Sequence, residues 1–163
     1  AEASQAGVPV RLIIRSICCL LPGIPGKTDN IQIRSIVGRY LEHARILCFG
    51  DTDGAIQDLL FYISSADLMT RNTEKRIEIA CPVQDERLKK RLLDLLELQL
   101  EDTVKARTIT SDGRYVPVES ASQDIVDCQE RLMEKAIHRA VAPVVETKSF
   151  RSRLEDWISK LKN

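Results

Sequence analysis

Short apolar segments rich in β-branched residues, separated by turn residues, dominate the first half of this 163-residue chain. Segments of this length and composition are typical of β-strands. A longer segment, 85–101, follows them, with leucines at helical spacing and charges on the opposite side. Strands that precede long helices predict an α/β architecture, and strands apolar on both sides predict a sheet covered on both faces. The expected strands are 10–15, 31–37, 46–49, 58–63 and 76–83.

The remaining elements are predicted from residues that cap helices, form turns or end regular structure. Segment 31–37 fits an alternating strand, with a short helix as the alternative, and 38–44 fits a turn or a short helix that carries His43. Asp85 can cap the long helix, and 111–114 fits a hairpin turn. Segment 123–142 is amphipathic and ends at Pro143, and 149–161 fits a final helix.

The charge balance excludes a global attraction to nucleic acid or to a membrane surface. The chain has 24 Lys+Arg and 24 Asp+Glu, so any anion binding must be local. No apolar run approaches the about 20 residues of a membrane helix. Residues 1–9 are small and polar and are interpreted as a linker.

The five cysteines do not form a metal or disulfide pattern. Cys18 and Cys19 are adjacent, and no pair has the C-x-x-C spacing of a zinc site. We therefore expect buried or semi-buried thiols in a reducing cytoplasm.

The candidate residues for chemistry surround His43, one of only two histidines, which we expect from its sequence context to be buried. Neighbouring cations favour a neutral imidazole, and arginines offer planar forks of donors to phosphate oxygens. A neutral imidazole beside a phosphate suits phosphoryl chemistry, as nucleophile or as acid or base. If segment 38–44 is helical, Arg39 and His43 share one face. The basic set comprises Arg15, Arg34, Arg39, His43, Arg45, Arg71 and Arg76.

Other candidate motifs are weaker. His138 lies on an amphipathic stretch and is interpreted as a helix-flank residue. The loop 50–54 lacks the later glutamate of a calcium loop and is interpreted as a solvated turn. The stretch 21–26 lacks the lysine of a nucleotide-binding phosphate loop, and the chain has no Ser-His-Asp set.

Four blocks of the chain resemble, in order, the C-terminal domain of bacterial polyphosphate kinases. Arg15-Ser-Ile-Cys-Cys-Leu-Leu-Pro-Gly resembles that family's Arg-Gly-Ile-Cys-Cys-Leu-Arg-Pro-Gly signature. The next block, Asp29-Asn-Ile-Gln-Ile-Arg-Ser-Ile-Val-Gly-Arg-Tyr-Leu-Glu-His-Ala-Arg-Ile, matches almost position for position. Ser64-Ser-Ala-Asp-Leu-Met-Thr-Arg-Asn and Asp112-Gly-Arg-Tyr follow. The resemblance implies a domain over 10–119 and leaves 120–163 as a C-terminal helical extension.

The resemblance implies a phospholipase D-like fold: a mixed β-sheet flanked by helices, here with additional C-terminal helices. It implies reversible transfer of the ATP γ-phosphate to polyphosphate with Mg²⁺, so ATP/ADP and polyphosphate are the expected ligands. In that family the phosphorylated histidine belongs to a preceding domain, so the resemblance implies that His43 is the assisting catalytic residue. It also implies that Arg15 helps to hold the nucleotide phosphates, and Arg45 falls where related sites carry the lysine of a His-x-Lys pair. Arg39 and Arg71 are further phosphate-binding candidates.

The chain departs from the family pattern at several places. Ser16 replaces a glycine, Leu21 an arginine, Leu68 a tryptophan and Thr70 usually a proline. These changes leave two alternatives open, a non-catalytic polyanion-binding module and a dimeric phospholipase D-like phosphodiesterase. Phospholipase D-like sites are built from two similar halves, and the resemblance implies that the other half lies in a preceding domain. The isolated chain should therefore bind phosphates weakly and turn over little. The sequence leaves the oligomeric state open, a homo-oligomer included.

Overall fold

The computed structural model describes residues 1–16, 18–119 and 124–141, with side chains as far as Ala140. The chain divides into two compact units, Ala1–Arg131 and Leu132–Asn163. The first unit holds every described strand. The second is described only in the helical residues that continue to Val141. The predicted helix over 149–161 lies outside the described residues.

The order of elements is mixed α/β, as expected. The elements are α1 (Glu2–Gln5), β1 (Val10–Ile14), β2 (Ile31–Ile36), β3 (Ile46–Phe49), a 3-10 helix (Ile56–Asp58), β4 (Leu60–Ser64), α2 (Thr70–Lys75), β5 (Ala80–Val83), α3 (Glu86–Glu101), β6 (Ala106–Ile109), β7 (Tyr115–Pro117) and α4 (Cys128–Val141).

The described strands form two sheets rather than the single mixed sheet that was expected. The first has the order β1-β2-β6-β7, with β1 parallel to β2 and the other pairs antiparallel. The second is the antiparallel sheet β3-β4-β5. Segment 37–45, which joins β2 to β3, has no regular secondary structure, so of the two alternatives for 38–44, a turn or a short helix, the helix was wrong.

Strand β2 confirms the extended alternative for its segment. Ile31, Ile33 and Ser35 are buried on one side, as their alternation predicts. Ile31 and Ile33 form a core cluster with Ile109 of β6, packed by apolar residues of β1. The strand therefore contributes two residues to the core of the first sheet. It ends at Ile36, directly before the segment that carries His43.

The second sheet packs on α3, the clearest helix of the sequence. Asp85 caps the helix by accepting a hydrogen bond from the Leu88 N–H at 3.1 Å, as predicted. Leu59 and Phe61 form a core cluster with Leu93 of α3. Leu88, one of the leucines at helical spacing, is 48% exposed, whereas Leu93 and Leu98 are buried.

Several sequence expectations were wrong in this part of the fold. The second sheet is not covered on both faces, since Phe49 and Leu60 are exposed partners in the β3–β4 ladder. Strand β5 begins at Ala80, because α2 takes up the chain as far as Lys75 and hydrogen bonds to Glu78 hold the next residues in a loop. The five thiols are free, as expected, but two of them are exposed: Cys19 and Cys81.

Residues 1–9 contain more structure than a linker. Within α1, Ser4 is buried, and its hydroxyl oxygen accepts from the Asn30 N–H at 3.0 Å. The Ser4 carbonyl accepts from the Asn30 side-chain amide at 2.8 Å, and the Gln5 amide donates to the Gly26 carbonyl at 2.9 Å. The N-terminal helical turn is thereby bonded to the loop that leads into β2.

Candidate active site

A carboxylate held by two arginines forms the centre of the candidate site. Arg15 Nη2 donates to both oxygens of Asp67, at 3.1 and 3.3 Å, and Arg45 Nε donates to Oδ1 at 2.9 Å. Arg15 directly follows β1, Arg45 directly precedes β3, and Asp67 follows β4. The Ser64 N–H donates to the Arg45 carbonyl at 2.8 Å, which extends the β3–β4 pairing and brings Arg45 beside the loop of Asp67. Ends of strands from both sheets therefore build one cluster.

The cluster carries an excess of positive charge. The hydrogen bond from Arg45 lowers the pKa of Asp67, partial burial opposes it, and the charges of Arg45, Arg15 and Arg71 lower it further. The pKa of Asp67 therefore lies below its ordinary value, and the carboxylate is ionised at neutral pH. One negative charge faces two contacting guanidiniums that are 29% and 21% exposed, so an incoming anion can reach them.

His43 lies at the edge of this cluster. Its Nδ1 is 3.2 Å from Arg45 Nη1, which also donates to the His43 carbonyl at 3.4 Å. A guanidinium only donates, so Nδ1 is the acceptor and the proton of the neutral ring sits on Nε2. His43 is exposed, and the sequence-based impression of a buried histidine was wrong. An exposed Nε2–H can donate to a phosphate oxygen from solution.

Arg71 affects Asp67 through its positive charge, and no contact between the two side chains is described. It lies on α2, where its Nε donates to the Asn72 side-chain oxygen at 3.3 Å. Asn72 is buried and donates to Glu78 Oε1 at 2.7 Å, and the Ser65 hydroxyl donates to the other oxygen of Glu78. These two hydrogen bonds lower the pKa of Glu78. The polar network thus steadies the loop that carries Asp67.

The described contacts of Arg39 include none with Asp67, Arg15, Arg45 or His43. Arg39 is exposed, and its guanidinium carbon lies 5.5 Å from the centre of the Tyr40 ring. Because segment 37–45 is not helical, the expected shared face of Arg39 and His43 does not form. His138 is an exposed residue of α4, as its sequence context predicted.

The comparison with protein families decides which family this architecture represents. The model named "Polyphosphate kinase C-terminal domain 2" matches residues 1–129. The chain belongs to the polyphosphate kinase family. The resemblance stated from sequence blocks is therefore confirmed.

Individual polyphosphate kinases agree with this membership. The chain is 49% identical over 135 residues to the polyphosphate kinase of Bacillus cereus, covering 83% of this chain and 19% of the relative. It is 46% identical over 169 residues to that of Staphylococcus epidermidis, covering 99% of this chain and 22% of the relative. The chain thus spans about a fifth of the length of the curated relatives it matches.

A solved structure supports the mixed α/β assignment. The crystal structure of polyphosphate kinase from Porphyromonas gingivalis matches with a TM-score of 0.75 and 40% identity, covering 85% of this chain and 20% of that one.

The family match starts at residue 1 and ends at 129, across both expected domain boundaries. The division into 1–9, 10–119 and 120–163 stays a prediction.

The described part of this polyphosphate kinase segment offers no protein ligand set for Mg²⁺. Among its residues no group of three or more His, Cys, Asp or Glu side chains could hold a metal ion. The Asp67 oxygens already accept from guanidiniums, which would repel a cation.

None of the described helices of the chain combines the length and apolar character that crossing a bilayer requires.

Asp67 is the residue of the candidate site that sequence reasoning missed. The sequence places Asp67 in the Ser-Ser-Ala-Asp block but does not indicate that it is a partner of the arginines. A single aspartate after a strand is typical of a turn, so its residue type carried no further signal. Arg15 and Asp67 are 52 residues apart, and only the fold brings them together.

Proposed function

We propose that this chain is the C-terminal catalytic domain of a polyphosphate kinase, acting within a longer parent chain in the cytoplasm. The reaction is the reversible transfer of the ATP γ-phosphate to polyphosphate, with the phosphorylated histidine on a preceding domain. The fold is proposed to be phospholipase D-like, with one half of the two-part site here. The observation that carries the proposal is the convergence of Arg15, Arg45 and His43 around Asp67.

The arginine pair suits phosphate oxygens because it is oriented before any ligand arrives. Asp67 holds both guanidiniums by hydrogen bonds, so less side-chain entropy is lost when a phosphate binds. In the described contacts Arg15 engages Asp67 through Nη2 alone, which leaves its other N–H groups for an anion. Phosphoryl transfer depends mostly on positioning and charge stabilisation, and both are what this pair can supply.

The hydrogen bonding of His43 favours an assisting role over a nucleophilic one. Nδ1 faces Arg45 and Nε2 carries the proton, so neither nitrogen offers a free lone pair to phosphorus. The Nε2–H can instead donate to an oxygen of the phosphoryl group as charge develops. The attacking nitrogen would then come from the preceding domain.

Arg71 and Arg39 are expected to contribute unequally to phosphate binding. Arg71 adds positive charge near Asp67 and would attract a phosphate chain at the edge of the site. Arg39 lies over Tyr40 and would contribute least. The magnesium that the resemblance implies has no fitting donor set in the described residues, so nucleotide phosphates or other parts of the parent enzyme would hold it.

The test is ATP-to-polyphosphate transfer by a full-length polyphosphate kinase that carries this chain, with and without His43→Ala. We expect kcat to fall on the order of 10²- to 10⁴-fold, because a positioned donor to the transferring group is lost. The KM for ATP should change little, since Arg15 and Arg45 remain. His138→Ala, at the other histidine, is the matched control and should keep wild-type rates.

Unchanged transfer after His43→Ala would remove the assigned role. Phosphodiesterase activity in the isolated chain would favour the hydrolase alternative. Phosphate binding by a full-length enzyme without transfer would favour the polyanion-binding module.

A further inference from the structure

Segment 37–45 carries His43 but has no helix or strand of its own to hold it. One side chain from the start of α4 holds the middle of this segment. The Tyr40 N–H donates to Gln129 Oε1 at 3.1 Å, and Gln129 Nε2 donates to the Tyr40 carbonyl at 2.8 Å. A side-chain amide thus pairs with both main-chain groups of one residue, as a neighbouring strand would.

The residue directly before His43 is held by the same glutamine and by a second one. Glu42 Oε1 accepts from Gln129 Nε2 at 2.7 Å, and Glu42 Oε2 accepts from Gln99 Nε2 at 3.0 Å. Gln129 is 4% exposed and Gln99 is 5% exposed. Buried amides that lost these partners would be left unsatisfied, so the arrangement strongly favours a single position of Glu42.

The backbone of Gln129 is itself anchored. The Cys128 N–H donates to Asp102 Oδ2 at 2.8 Å, and Asp127 Oδ1 accepts from the N–H groups of Gln129 and Glu130, both at 3.1 Å. Gly38 is packed against the amide of Gln129: a Cβ at position 38 would lie 2.5 Å from its Oε1. The amide therefore has little freedom to move.

We propose that Gln129, with Gln99 and Glu42, is a glutamine clamp that positions His43 for phosphoryl transfer. The inference rests on the proposed function and adds positioning residues to the same site. The clamp bonds only the segment that carries His43, whereas Arg15 and Asp67 are placed by the ends of β1 and β4. Loosening the clamp should therefore disturb the catalytic step more than phosphate binding. Displacements of about 1 Å can lower rates on the order of 10²-fold.

The test uses Gln129→Glu in a full-length polyphosphate kinase that carries this chain. The substitution keeps the side-chain size but removes both donated hydrogen bonds and places a carboxylate against Glu42. We expect kcat to fall on the order of 10- to 100-fold, with the KM for ATP nearly unchanged. Glu130→Gln, at the next and exposed residue, is the matched control and should keep wild-type kinetics.

Two double variants separate positioning from general stability. Adding Glu42→Gln to Gln129→Glu reverses the donor and acceptor between 42 and 129 and should restore much of the lost kcat. Gln129→Glu combined with His43→Ala should be no slower than His43→Ala alone, because both act on the same group. Losses that multiply instead would overturn the proposal.

The remaining outcomes distinguish the clamp from the proposed function. Unchanged transfer by His43→Ala contradicts the proposed function, whereas a slow His43→Ala beside a fully active Gln129→Glu contradicts the clamp alone. If Gln129→Glu does not fold, Gly38→Ala displaces the same amide without a change of charge and takes the same measurements. Failure of both variants to fold would make the clamp a stability element and overturn the proposal.

Discussion

Two aspartates, Asp67 and Asp102, each collect several hydrogen-bond donors, yet the two regions are built for different purposes. Asp67 is held by guanidiniums on long side chains and stays 22% exposed. Asp102 is fully buried and accepts hydrogen bonds from four main-chain N–H groups. Those donors are Val104, Lys105 and Ala106 to Oδ1, at 3.0, 2.7 and 2.8 Å, and Cys128 to Oδ2, at 2.8 Å.

The kind of donor decides what each carboxylate can do. Main-chain donors around Asp102 cannot turn away, so this residue joins the end of α3, the start of β6 and the start of α4 permanently. Burial alone would raise the pKa of Asp102, but hydrogen bonds from Cys128, Ala106 and Lys105 outweigh it and lower that pKa. The arginines at Asp67 can move their hydrogen bonds to another anion, so this exposed cluster can take part in binding. The buried hydrogen bonds of Asp102 serve the structure of the fold.

The largest effect should come from Asp102→Ala. The substitution removes the acceptor of four main-chain N–H groups, of which those of Ala106 and Cys128 are buried, so we expect the free energy of unfolding to fall by roughly 3 kcal/mol or more. Urea denaturation of the chain measures it. Asp94→Ala, which removes an exposed aspartate paired with Lys90 on α3, is the control and should cost no more than about 0.5 kcal/mol. Equal losses from the two variants would contradict the structural role of Asp102.

Asp67→Asn should separate function from stability. The amide keeps the shape but lacks the charge that orients Arg15 and Arg45, so we expect kcat in the full-length enzyme to fall about tenfold. The affinity of the chain for tripolyphosphate should stay the same or rise, because a competing anion is gone. The free energy of unfolding should change by no more than about 1 kcal/mol, as is usual when an exposed ion pair is removed. A loss of stability like that of Asp102→Ala would erase the distinction between the two aspartates.

Arg39→Ala should have the smallest effect. Arg39 lies over Tyr40, apart from the Asp67 cluster, so transfer should remain within about twofold of wild type, as for ordinary surface substitutions. Arg45→Ala, which removes a contact to both Asp67 and His43, is the comparison and should be far slower. If the two variants lose the same activity, phosphate binding extends along segment 37–45 beyond the cluster.

The sequence predicted local elements well where periodicity and caps agree. Strands β1, β2 and β3, the capped helix α3 and the hairpin around Gly113, whose φ is +84°, all follow from residues close in sequence. It failed over 76–79, where alternating residues suggested a strand but side-chain hydrogen bonds to Glu78 hold a loop. Over 38–44 it left a turn and a short helix as alternatives, and the structure has no helix there but an irregular segment bonded to Gln129.

The sequence by itself determined the α/β class, the family and the basic residues near His43, because residue types and short-range spacing carry that information. Only the tertiary structure decided that Asp67 unites Arg15 with Arg45, that Arg39 lies apart, and that Gln129 holds Tyr40 across 89 residues of chain. Such contacts depend on where strand and helix ends meet in space. A single aspartate or glutamine carries no signal of a partner so distant in sequence, so these roles become visible only after folding.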